Sequence, residues 1–408
     1  MKIWLIVVSL ALAACRSAPA AAPAAPMPSS TATAVPAEGV STPTAAPITV
    51  ETLAPVAEAP VTVNAEIAEI NTLLATLYDG QPFRGAVLVA QEGKVIHRKG
   101  YGLADAERGI PNTPETRFRL GSVTKPITAL AVLLLAQEGR VKLDASVCVY
   151  LAGCPSAWQP ITLDYLLTHR SGIPDLTRFP DFEATKAQPS TPLETLARFA
   201  GKPLDFAPGA RWDYSNSNYI VLGIIVEQVS GQAYETVIQE RIFTPLGMLN
   251  SGYDHNLDTL AVGYRPDGSP ADFLHMSIPF AAGGLYSTVD DLYKLDRALV
   301  QGTLLPEALA AAMFSIHAPF GPRAPQGGYG YGWMIVEQPA GWMVGHNGGI
   351  EGFSAGIWRT VSPPSSPAAG EQRESRTEDV LVISLSNEER RDPNIVAREI
   401  IALLAEQN

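Results

Sequence analysis

The sequence predicts an α+β protein: an antiparallel sheet formed by N- and C-terminal strands with flanking helices, plus a mainly helical subdomain. Three observations point there. Strand-like runs come early, at Gly85-Ala-Val-Leu-Val-Ala and Lys94-Val-Ile-His-Arg-Lys-Gly100, joined by the hairpin signal Gln91-Glu-Gly93. Strand-like runs return late, at Trp333–Glu337, Trp342–Asn347, Phe353–Arg359 and Val380–Ser386. Between them, from about Asp144 to Gln301, helical stretches such as Leu163–Leu167, Pro192–Phe199 and Tyr219–Val229 alternate with Pro- and Gly-rich loops.

Taken in order, Ile67, Ile70, Leu73, Leu74 and Leu77 recur at helical spacing, so Glu66–Tyr78 reads as an amphipathic helix. After the early hairpin, the apolar run Ile127–Ala136 predicts a helix that stops at Gly139. Asn394–Ala405 predicts a closing helix. Ser362–Glu378, between the last two strands, is polar and Ser/Pro-rich and reads as a long mobile surface loop. A cleft between the sheet and the helical subdomain is the expected place for a site.

The two ends bound the globular part. Met1-Lys2 followed by the apolar Ile3–Ala11 reads as an export signal, too short to span a bilayer stably. It runs into Leu12-Ala13-Ala14-Cys15, which resembles the bacterial lipobox. That resemblance implies cleavage before Cys15 and a lipid on its sulfur; the alternative is an ordinary cleaved signal with an incidental cysteine. Ala, Pro, Ser and Thr then dominate without an aromatic residue, a composition unable to offset the entropy of ordering. The expected domains are a lipoprotein signal peptide at 1–14, a disordered tether at 15–61 and a globular domain at 62–408. The expected location is extracytoplasmic, with membrane contact only through the lipid anchor.

A formal charge of −12 with no basic run or basic helix face argues against a nucleic-acid partner. Cys148 and Cys154 flank a short loop and predict a disulfide in an exported protein, the alternative being two buried free thiols. They lack the four-ligand pattern of a zinc site, and H-E-x-x-H does not occur. No metal and no other cofactor is expected, and a monomer is.

Ser122-Val-Thr-Lys125 stands where a polar turn gives way to the apolar Ile127–Ala136 run. On a helix, Ser122 and Lys125 share one face, placing an amine beside a hydroxyl at a helix N-terminus. A hydroxyl attacks a carbonyl poorly until a base takes its proton, and an amine shielded from water is such a base. The alternative is a capping serine and a solvated lysine. Alone, S-x-x-K is a chance-level match in a chain this long.

Two further motifs follow: Tyr214-Ser215-Asn216, before the helix that starts near Tyr219, and His346-Asn347-Gly348, at the end of a strand. S-x-x-K, Y-x-N and [K/H/W]-x-G in this order resemble the serine β-lactamase and penicillin-binding superfamily. The similar branch holds class C β-lactamases, D-alanyl-D-alanine carboxypeptidases and related esterases. Leu166-Leu-Thr-His-Arg-Ser-Gly-Ile173, Ala281–Leu292 and Tyr329-Gly-Tyr-Gly-Trp333 resemble its other landmarks, so the likeness covers about 63 to 406.

The resemblance implies acyl transfer, with Ser122, Lys125, Tyr214 and His346 as catalytic residues. Ser122 is the nucleophile, and either Lys125 or Tyr214 is the base that takes its proton. Tyr214 is the second proton handler, its phenolate stabilised by Lys125, and also activates the deacylating water. Asn216 holds a substrate amide or orients Lys125, its local alternative being a turn-forming asparagine. Backbone N–H groups of Ser122 and Gly349, beside Gly348, hold the oxyanion. His346 departs from the lysine usual in β-lactamases; a mostly neutral imidazole favours peptidase or esterase activity over efficient β-lactam hydrolysis. His169 reads as a structural histidine bonded to backbone.

Gly352-Phe-Ser-Ala-Gly356 matches the G-x-S-x-G nucleophile elbow, but Ile357-Trp358-Arg359 continues as strand and no histidine follows His346. Ser354 is therefore a strand residue. The expected activity is a serine hydrolase acting on D-amino-acid peptides, such as peptidoglycan stem peptides, or small esters. The alternatives are a β-lactamase and a non-catalytic cell-wall-peptide-binding protein of the same fold.

Overall fold

Strands from the two ends of the globular region meet in one eight-stranded antiparallel sheet. Its order is Lys94–Tyr101, Gly85–Gln91, Val380–Ser386, Phe353–Val361, Gly341–Ile350, Met334–Gln338, Gly327–Tyr329 and Ala318–Pro319. The early hairpin thus pairs directly with the last strand, Gly85 opposite Ser386 and Gln91 opposite Val380. The computed structural model describes residues 65–78, 80–321, 326–339, 341–361, 379–389 and 391–406. Residues 1–14, Cys15, the tether and Ser362–Glu378 lie outside them, so those expectations are not addressed by the fold.

The central strands Gly85–Gln91 and Val380–Ser386 are apolar on both faces because both faces are covered. In Gly85–Gln91, Ala86, Leu88 and Ala90 point into one core and Val87 and Val89 into another, as the two-residue strand period requires. The Val87 side packs under the terminal helices Ala65–Thr76 and Pro393–Ala405. The Leu88 side meets the helical subdomain, centred on Thr124–Gln137 and Asn216–Ser230. The first of these central helices is buried from Thr124 to Leu135, which explains why its sequence is apolar all round. It stops before Gly139, whose φ of 69° suits glycine.

Of the boundaries that differ from the sequence expectation, two position the site. The helix expected near Tyr219 begins at Asn216, because polar side chains in its first turn are bonded inward. Ser217 Oγ donates to the Pro174 carbonyl at 2.8 Å, and Ser171 Oγ donates to Asn218 Oδ1 at 2.6 Å. Ser122 lies not in the helix itself but in a single 3-10 turn, Gly121–Val123, that leads into it. Cys148 and Cys154 are joined as a disulfide, their Cα atoms 5.2 Å apart.

Candidate active site

The Ser122 turn is docked against an uncovered strand edge. Strand Gly341–Ile350 outruns its neighbour: the last pair on that side is Met334 with Gly345, so His346–Ile350 are paired only to Phe353–Ile357. The Gly121–Val123 turn takes the vacant place. A Cβ on Gly348 would stand 1.9 Å from the Leu120 carbonyl oxygen and 3.0 Å from the Ser122 nitrogen. Gly121, at φ 50°, would meet the Gly349 oxygen at 2.9 Å. Only glycine permits these approaches. They bring the Ser122 and Gly349 backbones onto facing segments, as the expected pair of oxyanion donors requires.

Lys125 is fully buried one turn after Ser122. Its Nζ donates to Ser122 Oγ at 2.9 Å, to Asn216 Oδ1 at 2.8 Å and to the Ala282 carbonyl at 2.8 Å. Burial pulls its pKa down to about 7, against a weaker upward pull from the Asp175 carboxylate. The Ala282 carbonyl comes from the short helix Phe280–Gly283, whose first residue holds a φ of 41°, a strained conformation for phenylalanine. Thr128 Oγ1 clamps that helix through the Ala281 carbonyl at 2.7 Å.

The Tyr214 ring centroid lies 4.9 Å from Lys125 Nζ. Burial raises the Tyr214 pKa above that of a free phenol, and a hydrogen bond with Ser122 offsets this only in part. The raised pKa disfavours, in the resting protein, the phenolate expected from the sequence. A phenolate on the partly buried Tyr214, near Asp175, is disfavoured, and a lysine with a pKa of about 7 cannot supply a permanent counter-charge. Tyr214 rests as a neutral phenol. His169 packs on it, ring centroids 4.3 Å apart, and its Nδ1 accepts from the Ser215 N–H at 3.2 Å, the backbone bond expected of it.

His346 is buried with both ring nitrogens engaged. Nδ1 lies 2.6 Å from the Asn347 carbonyl oxygen, which only accepts, so Nδ1 carries the proton. Nε2 then accepts from Tyr329 Oη at 2.9 Å. Burial, with Lys125 nearby, pulls the His346 pKa down to about 3. The ring is neutral at physiological pH and has no free donor for a substrate carboxylate.

A cavity of about 1120 Å³ opens over Ser122, bordered also by Asn216, Gly348 and Gly349. Lys125, Tyr214 and His346 do not border it themselves. The structure thus gathers the six residues that the three motifs named, together with Gly349, while the disulfided pair, Cys148 and Cys154, does not border the cavity. Ser354 is a strand residue, as expected, and its Oγ donates to the Glu388 carbonyl at 3.0 Å. Sequence reasoning missed the Ala282 carbonyl and Tyr329 as partners of Lys125 and His346. Both fall in stretches quoted as landmarks, but a backbone carbonyl has no residue-type signature.

A serine beside a buried amine, at the junction of a central helix and a sheet of this topology, defines the β-lactamase fold, whose family members are serine hydrolases. The family model described as Beta-lactamase matches residues 70–406, and the chain belongs to that family. Esterase EstB of Burkholderia gladioli is 33% identical over 309 residues, covering 63% of this chain and 76% of the esterase. Penicillin-binding protein 4* of Bacillus subtilis is 29% identical over 314 residues, covering 72% of this chain and 68% of that protein. The chain spans 59% of the length of another Bacillus subtilis relative, PbpX. Among solved structures, a D-stereospecific amidohydrolase from Streptomyces sp. superposes with a TM-score of 0.65 at 28% identity, covering 81% of this chain and 98% of that one.

Proposed function

We propose that the chain transfers an acyl group from an ester or amide to Ser122 and then to water. The observation that carries this reading is the buried Lys125 amine 2.9 Å from Ser122 Oγ. A neutral amine has two N–H donors and one lone pair. As an ammonium Lys125 donates to all three oxygens; once it has lost a proton, Asn216 Oδ1 and the Ala282 carbonyl keep the two remaining hydrogens, so the lone pair is left for the Ser122 proton. Oγ bonds the carbonyl carbon, the oxyanion rests on the Ser122 and Gly349 N–H groups, and the proton on Lys125 passes through the Tyr214 hydroxyl to the leaving oxygen or nitrogen as its bond to carbon breaks. Water then attacks the acyl-enzyme, losing its proton through Tyr214 to Lys125, and Lys125 returns a proton to Ser122 Oγ as the bond from Oγ to the acyl carbon breaks.

The neutral, fully bonded His346 favours acyl donors that need no carboxylate clamp, namely small esters and D-amino-acid amides or peptides. The esterase and amidohydrolase relatives support this. The reading extends to an exported protein held to a membrane through a lipid on Cys15, supported by the lipobox-like Leu12–Cys15. Mass measurement of the mature N-terminus tests the anchor, and an unmodified or absent Cys15 defeats it. Intact-protein mass spectrometry with a penicillin, a D-Ala-D-Ala peptide and a short-chain p-nitrophenyl ester tests the chemistry. The ester is expected to add its acyl mass to wild type and not to Ser122→Ala; equal turnover by the two proteins would move the nucleophile elsewhere.

A further inference from the structure

We propose that Asp175 is a positioning residue that locks the Asn216 carboxamide in the orientation Lys125 requires, an inference that rests on the acyl-transfer reading above. Asp175 lies in the loop after the Thr168–Ile173 segment and is 5% exposed. Its Oδ1 accepts from the Asn216 backbone N–H at 3.2 Å, and its two oxygens receive Asn216 Nδ2 at 3.3 Å each. On the other side, Asn216 Oδ1 accepts from Lys125 Nζ at 2.8 Å. A carboxylate only accepts, so the amide that faces it must present nitrogen and must turn its oxygen toward Lys125.

The consequence is chemical. A flipped Asn216 would point Nδ2 at Lys125 and donate to the amine lone pair, the orbital that must take the Ser122 proton. Asp175 forbids that flip. It also anchors the segment: Ser215, preceding the Asn216–Ser230 helix, makes no side-chain cap, and the Asp175 carboxylate holds the first N–H instead. Its bond to the Thr177 N–H at 3.2 Å caps the turn Leu176–Arg178 and is the part of its role that is merely structural.

Charge separates the two roles. The groups facing Lys125 are Asp175 from this loop, His169 from the segment before it, Tyr214 and Tyr219 from the second motif and its helix, and His346 from the sheet. Burial keeps both histidines neutral and both phenols protonated near pH 7. Asp175 is the charged member of that set. Arg178 approaches it only at 3.9 Å, is half-exposed, and is shared with Asp213 at 3.2 Å.

Asp175→Asn keeps the shape but removes both the charge and the acceptor-only character. With the ester substrate, kcat is expected to fall by about 10- to 100-fold, the scale that misplacement of reacting groups costs, with little change in KM. The acid limb of the pH–rate profile should move to lower pH, because Lys125 loses the carboxylate that raises its pKa. A folded Asp175→Asn protein with wild-type kcat and an unmoved acid limb overturns the proposal. Should that variant not fold, Asp175→Ala is assayed with added formate. Recovery of kcat toward wild type supports the proposal, and a folded variant that is fully active without formate, or unresponsive to it, overturns it. Failure of wild type to acylate at all would instead remove the acyl-transfer reading, so the two failures are distinct.

Discussion

Gly348 lies so close to Leu120 that a single added carbon would fall 1.9 Å from the Leu120 carbonyl oxygen. This backbone-to-backbone contact joins the sheet to the nucleophile turn, and it sets where the two N–H groups of Ser122 and Gly349 stand. Gly348→Ala must push strand and turn apart. Acylation of Ser122 is expected to slow by about 100-fold or more, the scale of losing one oxyanion donor, with a stability loss of about 1–3 kcal/mol. Gly349→Ala is the control for the fold. A Cβ there meets nothing within 4 Å, so thermal unfolding should shift little while KM changes. Stopped-flow acylation and thermal melts of both variants check this contrast.

Lys125 acts as a base only when neutral, and its pKa is about 7. The free enzyme's kcat/KM is therefore expected to rise through an acid limb near pH 7. Tyr214, held protonated, and His346, at about 3, should add no second limb between pH 5 and 9. A flat profile across pH 6–8 would contradict the assignment.

The same lysine links pH to stability. Its folded pKa lies below its unfolded value of 10.5, so between about pH 7 and 10.5 the unfolded chain binds the extra proton. Stability from this group therefore rises with pH across that window, and the cost of burying the ammonium is fully present below it. Relative to Lys125→Met, wild type should gain up to about 5 kcal/mol between pH 7 and 10.5, following 1.36 kcal/mol per pKa unit. Urea unfolding of both proteins at the two ends of the window measures the difference.

His346 offers no cation for a terminal carboxylate. Replacing the free carboxylate of a D-Ala-D-Ala peptide by its amide is thus expected to change kcat/KM by less than about threefold. A lost charge-assisted bond, worth about 1.5–3 kcal/mol, would give a drop of tenfold or more. Paired kinetics on the two peptides decides between them.

The Cys148–Cys154 bridge closes a short loop away from the cavity. Cys148→Ser with Cys154→Ser should lower stability by about 2 kcal/mol, the loop-entropy estimate for so small a ring, and leave kcat unchanged. Thiol labelling of the denatured, non-reduced protein should miss both cysteines.

The sequence by itself determined six of the eight strands of the main sheet, the central helices, the three motifs and their order, because these rest on periodicity and on residue types with distinctive chemistry. Val380–Ser386 and Leu163–Leu167 were legible to the residue. Ser354 was legible as strand because no helix pattern follows it. The protonation states were decided only by the tertiary structure. Lys125, Tyr214 and His346 titrate as they do because remote segments exclude water from them. Their partners were likewise settled by packing: the Ala282 carbonyl, Tyr329 and Asp175 come from distant stretches of chain. A hydrogen bond needs a distance and a direction, and desolvation needs a neighbourhood. A linear order of residues contains neither until the chain has folded.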